Sequence, residues 1–237
     1  MARFLLIHGS CHGAWCWRDV LPLLEAAGHE ARAIDLPSHG NDCTPVTEVT
    51  LEGYARAILD AIGEPVILVG HSMAGYPISL AADMAPEKVE KLVYLCAYVP
   101  GPGMSLVEMR KAGPRQPLEG AIVRSPDGLS FTIHPDRVRD VFYHDCPDEA
   151  ASFARAHLCP QPVAPQATPV TLTERWDRVE RHYIRCSDDR TIPPEYQQTM
   201  SAGWPEGQVS TLPTSHSPFF SAPDMLVRKL IQIAEAQ

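Results

Sequence analysis

Short runs of apolar residues recur along the chain, and segments of helical length separate them. Six runs have the length and composition of buried strands, at residues 4–7, 30–34, 66–69, 92–95, 182–186 and 209–212. Helices are predicted at residues 18–27, 51–62, 76–84 and 194–202, and from Pro223 to the C-terminus. Strands that alternate with helices predict right-handed crossovers, and hence an α/β fold around a mostly parallel six-stranded sheet.

The middle of the chain departs from this alternation. Residues 100–176 contain eleven prolines and no run typical of a buried parallel strand. Amphipathic stretches at 135–143 and 148–158 predict helices, and an alternating stretch at 129–133 predicts a short hairpin strand. An insertion after the fourth strand lies over the carboxyl edge of the sheet, where open α/β folds bind ligands. We therefore expect residues 101–176 to form a cap inserted between two parts of one core, residues 1–100 and 177–237.

A long disordered linker is the alternative interpretation of this segment. It is the weaker one because long structureless loops are uncommon in compact domains. The segment also carries large aromatic residues that need burial, namely Phe131, Phe142, Tyr143, Phe153 and Trp176. These five aromatic residues, together with Gly9, are the candidate substrate-binding residues.

Composition restricts the function classes and the compartment. The 237 residues are 45% apolar and carry a net charge of −9, which argues against a nucleic-acid partner because such proteins present a basic face. No segment has the roughly 20 apolar residues that cross a bilayer, and the apolar run at 4–7 is too short for a signal peptide. Seven cysteines without a C-x-x-C pair favour a reducing, cytoplasmic environment over a disulfide framework.

The stretch from 66 to 75 is the most informative part of the sequence. Four apolar residues of a predicted strand lead into Gly70, His71 and Ser72, and the small residues Ala74 and Gly75 follow before an apolar helix. This arrangement is close to the G-x-S-x-G pattern of a nucleophile elbow, in which a serine stands on a sharp strand-to-helix turn. The turn exposes the serine hydroxyl at a helix N-terminus, where developing negative charge is stabilised. Ser72 is therefore the predicted nucleophile.

A serine hydroxyl needs an imidazole as base, and the imidazole needs a carboxylate that fixes its tautomer. After an elbow of this kind the partners follow in the order acid, then histidine, each on a loop after a strand. His216 follows the sixth predicted strand and is the predicted base, the alternative being a solvated loop histidine. Asp188 and Asp189 both follow the fifth strand, and spacing alone does not choose between them as the acid.

The oxyanion hole is expected from two backbone N–H groups, those of Met73 after the nucleophile and of Ser10 after the first strand. Four residues around Ser10 could be interpreted instead as metal ligands: His8, Cys11, His12 and Cys16. A strand-to-loop path does not bring such side chains together, so we predict no metal. His71, beside the nucleophile, is expected to point away from the hydroxyl and to serve in packing or hydrogen bonding.

Four stretches resemble the plant methyl salicylate and methyl jasmonate esterases and the related hydroxynitrile lyases. They span residues 8–17, 23–29, 66–75 and 183–193. The resemblance implies the α/β-hydrolase fold, a small helical cap over a largely apolar pocket, and no cofactor. It also selects Asp189 as the catalytic acid, because the family's aspartate stands three residues before an Ile-Pro pair.

Three positions separate the two chemistries of this group. The lyases carry threonine, glutamate and lysine where this chain has Gly9, His71 and Ser217. We therefore predict a carboxylester hydrolase that acts on a small, largely apolar ester through Ser72, His216 and Asp189. Lyase-type or other cofactor-free chemistry on the same residues is the first alternative, and a non-enzymatic small-molecule receptor the second. No nucleic-acid or membrane partner is expected, and a homodimer stays open.

Overall fold

The computed structural model describes residues 1–236, and these contain nine strands. In chain order they are β1 (Arg3–Ile7), β2 (Glu30–Ile34), β3 (Val66–His71), β4 (Val89–Leu95), β5 (Ile122–Arg124), β6 (Ser130–Ile133), β7 (Gln161–Pro162), β8 (Glu180–Cys186) and β9 (Val209–Leu212). Six of them form one sheet of order β2-β1-β3-β4-β8-β9, and every neighbouring pair in it is parallel. The α/β architecture with a six-stranded parallel sheet is confirmed.

The same residues contain eleven α-helices. They are α1 (Leu21–Ala26), α2 (Leu51–Asp60), α3 (Gly75–Met84), α4 (Leu106–Ala112), α5 (Pro135–Phe142), α6 (Asp148–His157), α7 (Ala164–Ala167), α8 (Glu174–Asp177), α9 (Pro194–Met200), α10 (Pro218–Ser221) and α11 (Pro223–Glu235). None of the helices within residues 1–236 has the length and apolar character that crossing a membrane requires. The last helix was predicted to reach the C-terminus, and Gln237 lies outside the described residues.

The central strand of the sheet carries the elbow. β3 lies between β1 and β4, and all six of its residues are buried. A strand that is covered on both faces reads as a continuous apolar run, which is why residues 66–69 were recognisable in the sequence. One apolar core lies around Phe4, Val69 and Trp17, and a second around Leu5 and Leu68, so alternate residues of a strand feed opposite faces.

The predicted helix at 18–27 is shorter in the structure. A 3₁₀ turn at Ala14–Trp17 precedes it, and the N–H groups of Arg18 and Val20 donate to carbonyls three residues earlier. Pro22 has no N–H to donate and stands in the first turn of α1, where none is needed. The helix therefore begins at Leu21.

Between β4 and β8 the chain leaves the parallel sheet. β5, β6 and β7 form a small antiparallel sheet, and α5 and α6 occupy the two amphipathic stretches recognised in the sequence. Helix α4 was not predicted, although Ser105 and Glu108 form a capping box at its start. The segment between β4 and β8 is called the excursion below. A backbone bridge between Met104 and Val170 joins its beginning to its end.

Candidate active site

Ser72 stands on the strained turn between β3 and α3. Its φ of +57° lies in the left-handed region, which a residue with a Cβ adopts at a cost. The turn is tight because the carbonyl of Ser72 accepts a hydrogen bond from the N–H of Tyr98 at 3.1 Å. A Cβ on Gly70 would come within 2.7 Å of the Ile78 side chain, and a Cβ on Gly75 would collide with the Tyr98 carbonyl. The second glycine of the elbow is therefore required at position 75, three residues after the serine. Position 74, where the motif usually has glycine, accommodates an alanine.

Three side chains form a continuous hydrogen-bonded chain at this turn. The Ser72 hydroxyl lies 2.9 Å from His216 Nε2, and His216 Nδ1 lies 2.7 Å from Asp189 Oδ2. Because a carboxylate only accepts, Nδ1 carries the proton and Nε2 is free to accept from the hydroxyl. All three residues are buried. The arrangement can move a proton from the hydroxyl to the imidazole.

The two neighbouring aspartates have different environments. Besides His216, Asp189 Oδ2 accepts from Gln197 Nε2 at 2.8 Å, and its Oδ1 accepts from the N–H groups of Thr191 and Ile192 at 2.6 and 2.9 Å. The Asp188 side chain is 64% exposed and lies 2.9 Å from His144 Nε2. Only Asp189 meets the imidazole, and Gln197 is a supporting residue that the sequence did not reveal.

His71 contacts both the backbone and the ring of His216. Its Nε2–H donates to the His216 carbonyl at 2.8 Å, and the two rings lie 4.6 Å apart. Burial lowers the pKa of His71 well below the ordinary value, so the ring is neutral. Its Nδ1 has no partner within residues 1–236 and faces Gly9, where a Cβ would come within 2.7 Å of it.

The loop after β1 is held by side-chain hydrogen bonds. The Gly9 carbonyl accepts from His8 Nδ1 at 2.9 Å, and the Ser10 carbonyl accepts from His12 Nδ1 at 2.7 Å. The N–H groups of Ser10 and Met73 donate to no residue among the 236 that are described. Two backbone donors therefore stay free beside the elbow.

Residues of the excursion between β4 and β8 reach this loop. The Tyr143 hydroxyl donates to His12 Nε2 at 2.6 Å, since the other nitrogen of that ring already donates to a carbonyl. Gln166 Nε2 donates to the Ser10 hydroxyl at 2.7 Å. Burial lowers the pKa of His12 to about 4, which keeps the imidazole neutral between its two partners.

A pocket opens over Ser72 and His216. Its lining surface is largely apolar, and eight of its fourteen residues lie between β4 and β8. The lining residues are Ser10, His12, His71, Ser72, Tyr98, Leu106, Arg110, Leu118, Phe131, Ile133, Phe142, Gln166, Thr191 and His216. Phe131 and Phe142 are thus brought to the pocket, and the Phe142 ring stacks on His216 at 5.9 Å.

The other predicted substrate-binding residues lie elsewhere. Tyr143 bonds to His12 behind the wall, and Phe153 packs under the Arg18 guanidinium at 3.9 Å. Trp176 donates to the Tyr94 hydroxyl at 3.0 Å on the core side of the chain. Gly9 lies beneath the site, against His71. Of these aromatic residues Tyr143 is buried, whereas Phe153 and Trp176 are half-buried. Aromatic character did not reveal which surface each ring would contact.

One group of potential metal ligands occurs within residues 1–236. Donor atoms of His71, Cys96 and His216 lie within 4.8 Å of one another. Both nitrogens of His216 are already engaged by Asp189 and Ser72, and His71 Nε2–H donates to a carbonyl. The group does not fit a metal ion, because both nitrogens of His216 are engaged and the one free nitrogen, His71 Nδ1, faces Gly9.

Known proteins resemble this chain over nearly its whole length. The chain is 32% identical to Methylesterase 7 of Arabidopsis thaliana over 98% of its own length and 96% of the relative's. It is 30% identical to Methyl jasmonate esterase 1 of Vitis vinifera, covering 99% and 97%. A pyrethroid hydrolase from Sphingobium faniae JZ-2 superposes with a TM-score of 0.89 at 31% identity, covering 99% and 98%. The model of the alpha/beta hydrolase family matches residues 4–229, and the chain belongs to that family.

Proposed function

We propose that this protein is a serine carboxylester hydrolase that acts on a small, largely apolar ester. The observation that carries the proposal is the unbroken chain from Ser72 through His216 to Asp189 at the floor of an apolar pocket. The similarity to proteins named methylesterases supports the same reaction class. No cofactor is needed for this chemistry.

In the proposed acylation step the Ser72 oxygen attacks the ester carbonyl carbon while its proton passes to His216 Nε2. Asp189 stays ionised and stabilises the imidazolium that forms. Collapse of the tetrahedral intermediate breaks the bond to the alkoxide oxygen, which leaves as the alcohol with the proton from His216. The acyl group is then bonded to Ser72.

Negative charge on the former carbonyl oxygen is stabilised, in this proposal, by the free N–H groups of Ser10 and Met73. Each donor of this kind contributes about 10²-fold to 10³-fold to the rate. The His8 and His12 side chains fix the carbonyls on either side of the Ser10 residue, so the N–H is oriented before the substrate arrives.

Deacylation repeats the sequence with water. His216 takes a proton from the water as it attacks the acyl carbon, and then returns that proton to the Ser72 oxygen as the acid is released. One ester and one water give one carboxylic acid and one alcohol.

We propose that residues 101–176 act as a cap in this reaction. Seven of the fourteen residues that line the pocket belong to this segment, so it shapes the space for the substrate and excludes water from the reacting atoms. We also propose a reducing, cytoplasmic environment, in keeping with seven cysteines that are all free thiols.

Cyanohydrin cleavage by the same three residues is the alternative reaction. The geometry at positions 9 and 217 disfavours it. The lyase threonine could not be placed at position 9 without moving the His71 ring. Ser217, which stands in place of the lyase lysine, is buried and carries no charge.

The test is a panel of aryl and alkyl esters beside mandelonitrile, measured as initial rates with Ser72→Ala as the blank. We expect ester hydrolysis that falls at least about 10³-fold in the variant. A fluorophosphonate should add once to the wild-type protein by intact mass and not to Ser72→Ala. Cyanide release that is faster than hydrolysis of every ester in the panel, or an equal adduct on the variant, contradicts the proposal.

A further inference from the structure

Arg110 is an unpaired cation in the wall of the catalytic pocket. It stands near the end of α4 and is half-buried. Its guanidinium has no hydrogen bond or ion pair with any residue within the described range 1–236. The nearby Arg115 differs, because its guanidinium donates two bonds to Glu195 at 2.6 and 2.9 Å. The lack of a partner therefore distinguishes Arg110 from Arg115, its neighbour in the same wall.

A smaller, narrow space adjoins the catalytic pocket at this point. Four residues line both spaces, namely Tyr98, Arg110, Leu118 and Thr191. Arg110 thus lies at the junction between the pocket over Ser72 and the adjoining smaller space. A substrate whose reacting carbonyl lies at Ser72 would extend its far end toward this junction.

Two hydrogen-bond donors at the junction, the Arg110 guanidinium and the Tyr98 hydroxyl, are not engaged by any residue within 1–236. The Tyr98 hydroxyl makes no hydrogen bond within residues 1–236, and burial raises the pKa of Tyr98, so its proton stays in place. Tyr98 and Arg110 line the same two spaces. The Thr191 hydroxyl is already donated to the Val141 carbonyl at 2.6 Å. No aspartate or glutamate of the described chain lines either space.

An unpaired guanidinium beside a free hydroxyl, with no carboxylate in the lining, fits a ligand that supplies the carboxylate. A half-buried guanidinium in a largely apolar wall has lost part of its hydration, and a carboxylate restores that loss with two parallel N–H···O bonds. Arginine is suited to this task because its planar fork matches the two oxygens of a carboxylate. The lining of the two spaces contains arginines and no carboxylate, although the chain has a net charge of −9.

We propose that Arg110, with the Tyr98 hydroxyl, binds a carboxylate carried by the substrate at the end remote from the reacting ester. The substrate class is then the monoesters of dicarboxylic acids, with an apolar spacer between the two ends. This inference rests on the proposed esterase function and adds one charged group to the otherwise apolar substrate.

The test compares monomethyl glutarate with dimethyl glutarate, and extends the pair to the succinate and adipate esters. For the wild type we expect kcat/KM on the best monoester to exceed that on its diester by at least about 10-fold per ester group. Arg110→Gln should lower kcat/KM on the monoester about 10-fold to 100-fold and remove the preference. Arg110→Lys should retain part of it, since the charge remains and the fork is lost. Rising salt should shrink the preference, because the guanidinium is only half-buried.

Lys111→Gln is the matched control, since it removes one positive charge from the same helix outside the pocket and should leave the preference intact. Binding of monomethyl glutarate to Ser72→Ala by calorimetry tests the carboxylate site without turnover. Binding that is lost in Ser72→Ala/Arg110→Gln supports the inference even if no ester in the panel is hydrolysed, an outcome that would overturn only the esterase proposal. Equal loss on monoester and diester in Arg110→Gln, or a wild type that does not discriminate between them, overturns the inference alone.

Discussion

Replacing Asp189 with asparagine should disable the site while keeping its shape. The carboxylate of Asp189 accepts four hydrogen bonds, two at each oxygen, and its side chain is fully buried. An asparagine has one oxygen and one NH₂ group there. If the NH₂ faces His216 and Gln197, it meets two donors and forces the imidazole into the tautomer that cannot accept from Ser72. If it faces the backbone, the N–H groups of the following turn lose their acceptor.

The magnitude follows from these contacts. A wrong histidine tautomer costs about 10⁴ in kcat, which corresponds to about 5.5 kcal/mol of barrier. The alternative orientation leaves two buried N–H groups unsatisfied at about 1–3 kcal/mol each, and this would show as a loss of folding stability. Asp188→Asn changes a side chain that is 64% exposed and bonded only to His144, so its effect on kcat should stay within about 10-fold.

Both variants should be measured with the same small aryl ester at one pH, with thermal melting recorded beside kcat. The reasoning predicts a large loss of kcat in Asp189→Asn and a near-wild-type Asp188→Asn. An Asp189→Asn enzyme that keeps more than a tenth of wild-type kcat would refute the role given to its hydrogen bonds. A larger loss in Asp188→Asn would move the acid by one residue.

Two further predictions concern stability and close packing. Burial lowers the pKa of His12 to about 4 against the ordinary 6.5, so the unfolded chain binds the proton first and the free energy of unfolding falls as the pH drops through this window. The full effect is about 3 kcal/mol, and urea unfolding at pH 7 and at pH 4.5 should detect it; a flat profile would contradict the assignment. Gly9→Ala should lower the melting temperature, and it should lower kcat/KM at least about 10-fold, because the new Cβ would lie 2.7 Å from His71 Nδ1 and 2.9 Å from Ser72 Cβ. Gly63→Ala is its control, since nothing lies within 4 Å there, and equal behaviour of the two variants would show that the contact has no effect.

The fold and the hydrogen-bonded chain at Ser72 were readable in the sequence because local patterns encode them. β3 is buried on both faces and therefore reads as an uninterrupted apolar run that ends in small residues. His216 follows the last strand, at the place where the order of such sites requires a base. The choice between Asp188 and Asp189 was not local. Adjacent residues of a turn point in different directions, and only the resemblance to known esterases favoured the one that the structure places at the imidazole.

The pocket wall was less predictable, since residues far apart in the chain build it. Phe131 and Phe142 reach the pocket, whereas the equally apolar Phe153 packs against Arg18 on another face of the same segment. Arg110 belongs to no recognisable motif, and its position depends on how α4 packs against the core. The hydrophobic pattern of a sequence predicts that a side chain is buried, but it does not predict which residues it will contact.

The hydrogen bonds from Tyr143 and Gln166 to the loop after β1 have an evolutionary consequence. Both residues belong to the segment that shapes the pocket, and both hold the loop that carries the Ser10 N–H. Lineages that diversify this segment to accept new substrates are therefore free to exchange wall positions such as Leu106 or Leu118, whose side chains make no such bond. They are constrained at the two anchoring positions, where a change of specificity would also disturb the rate on every substrate.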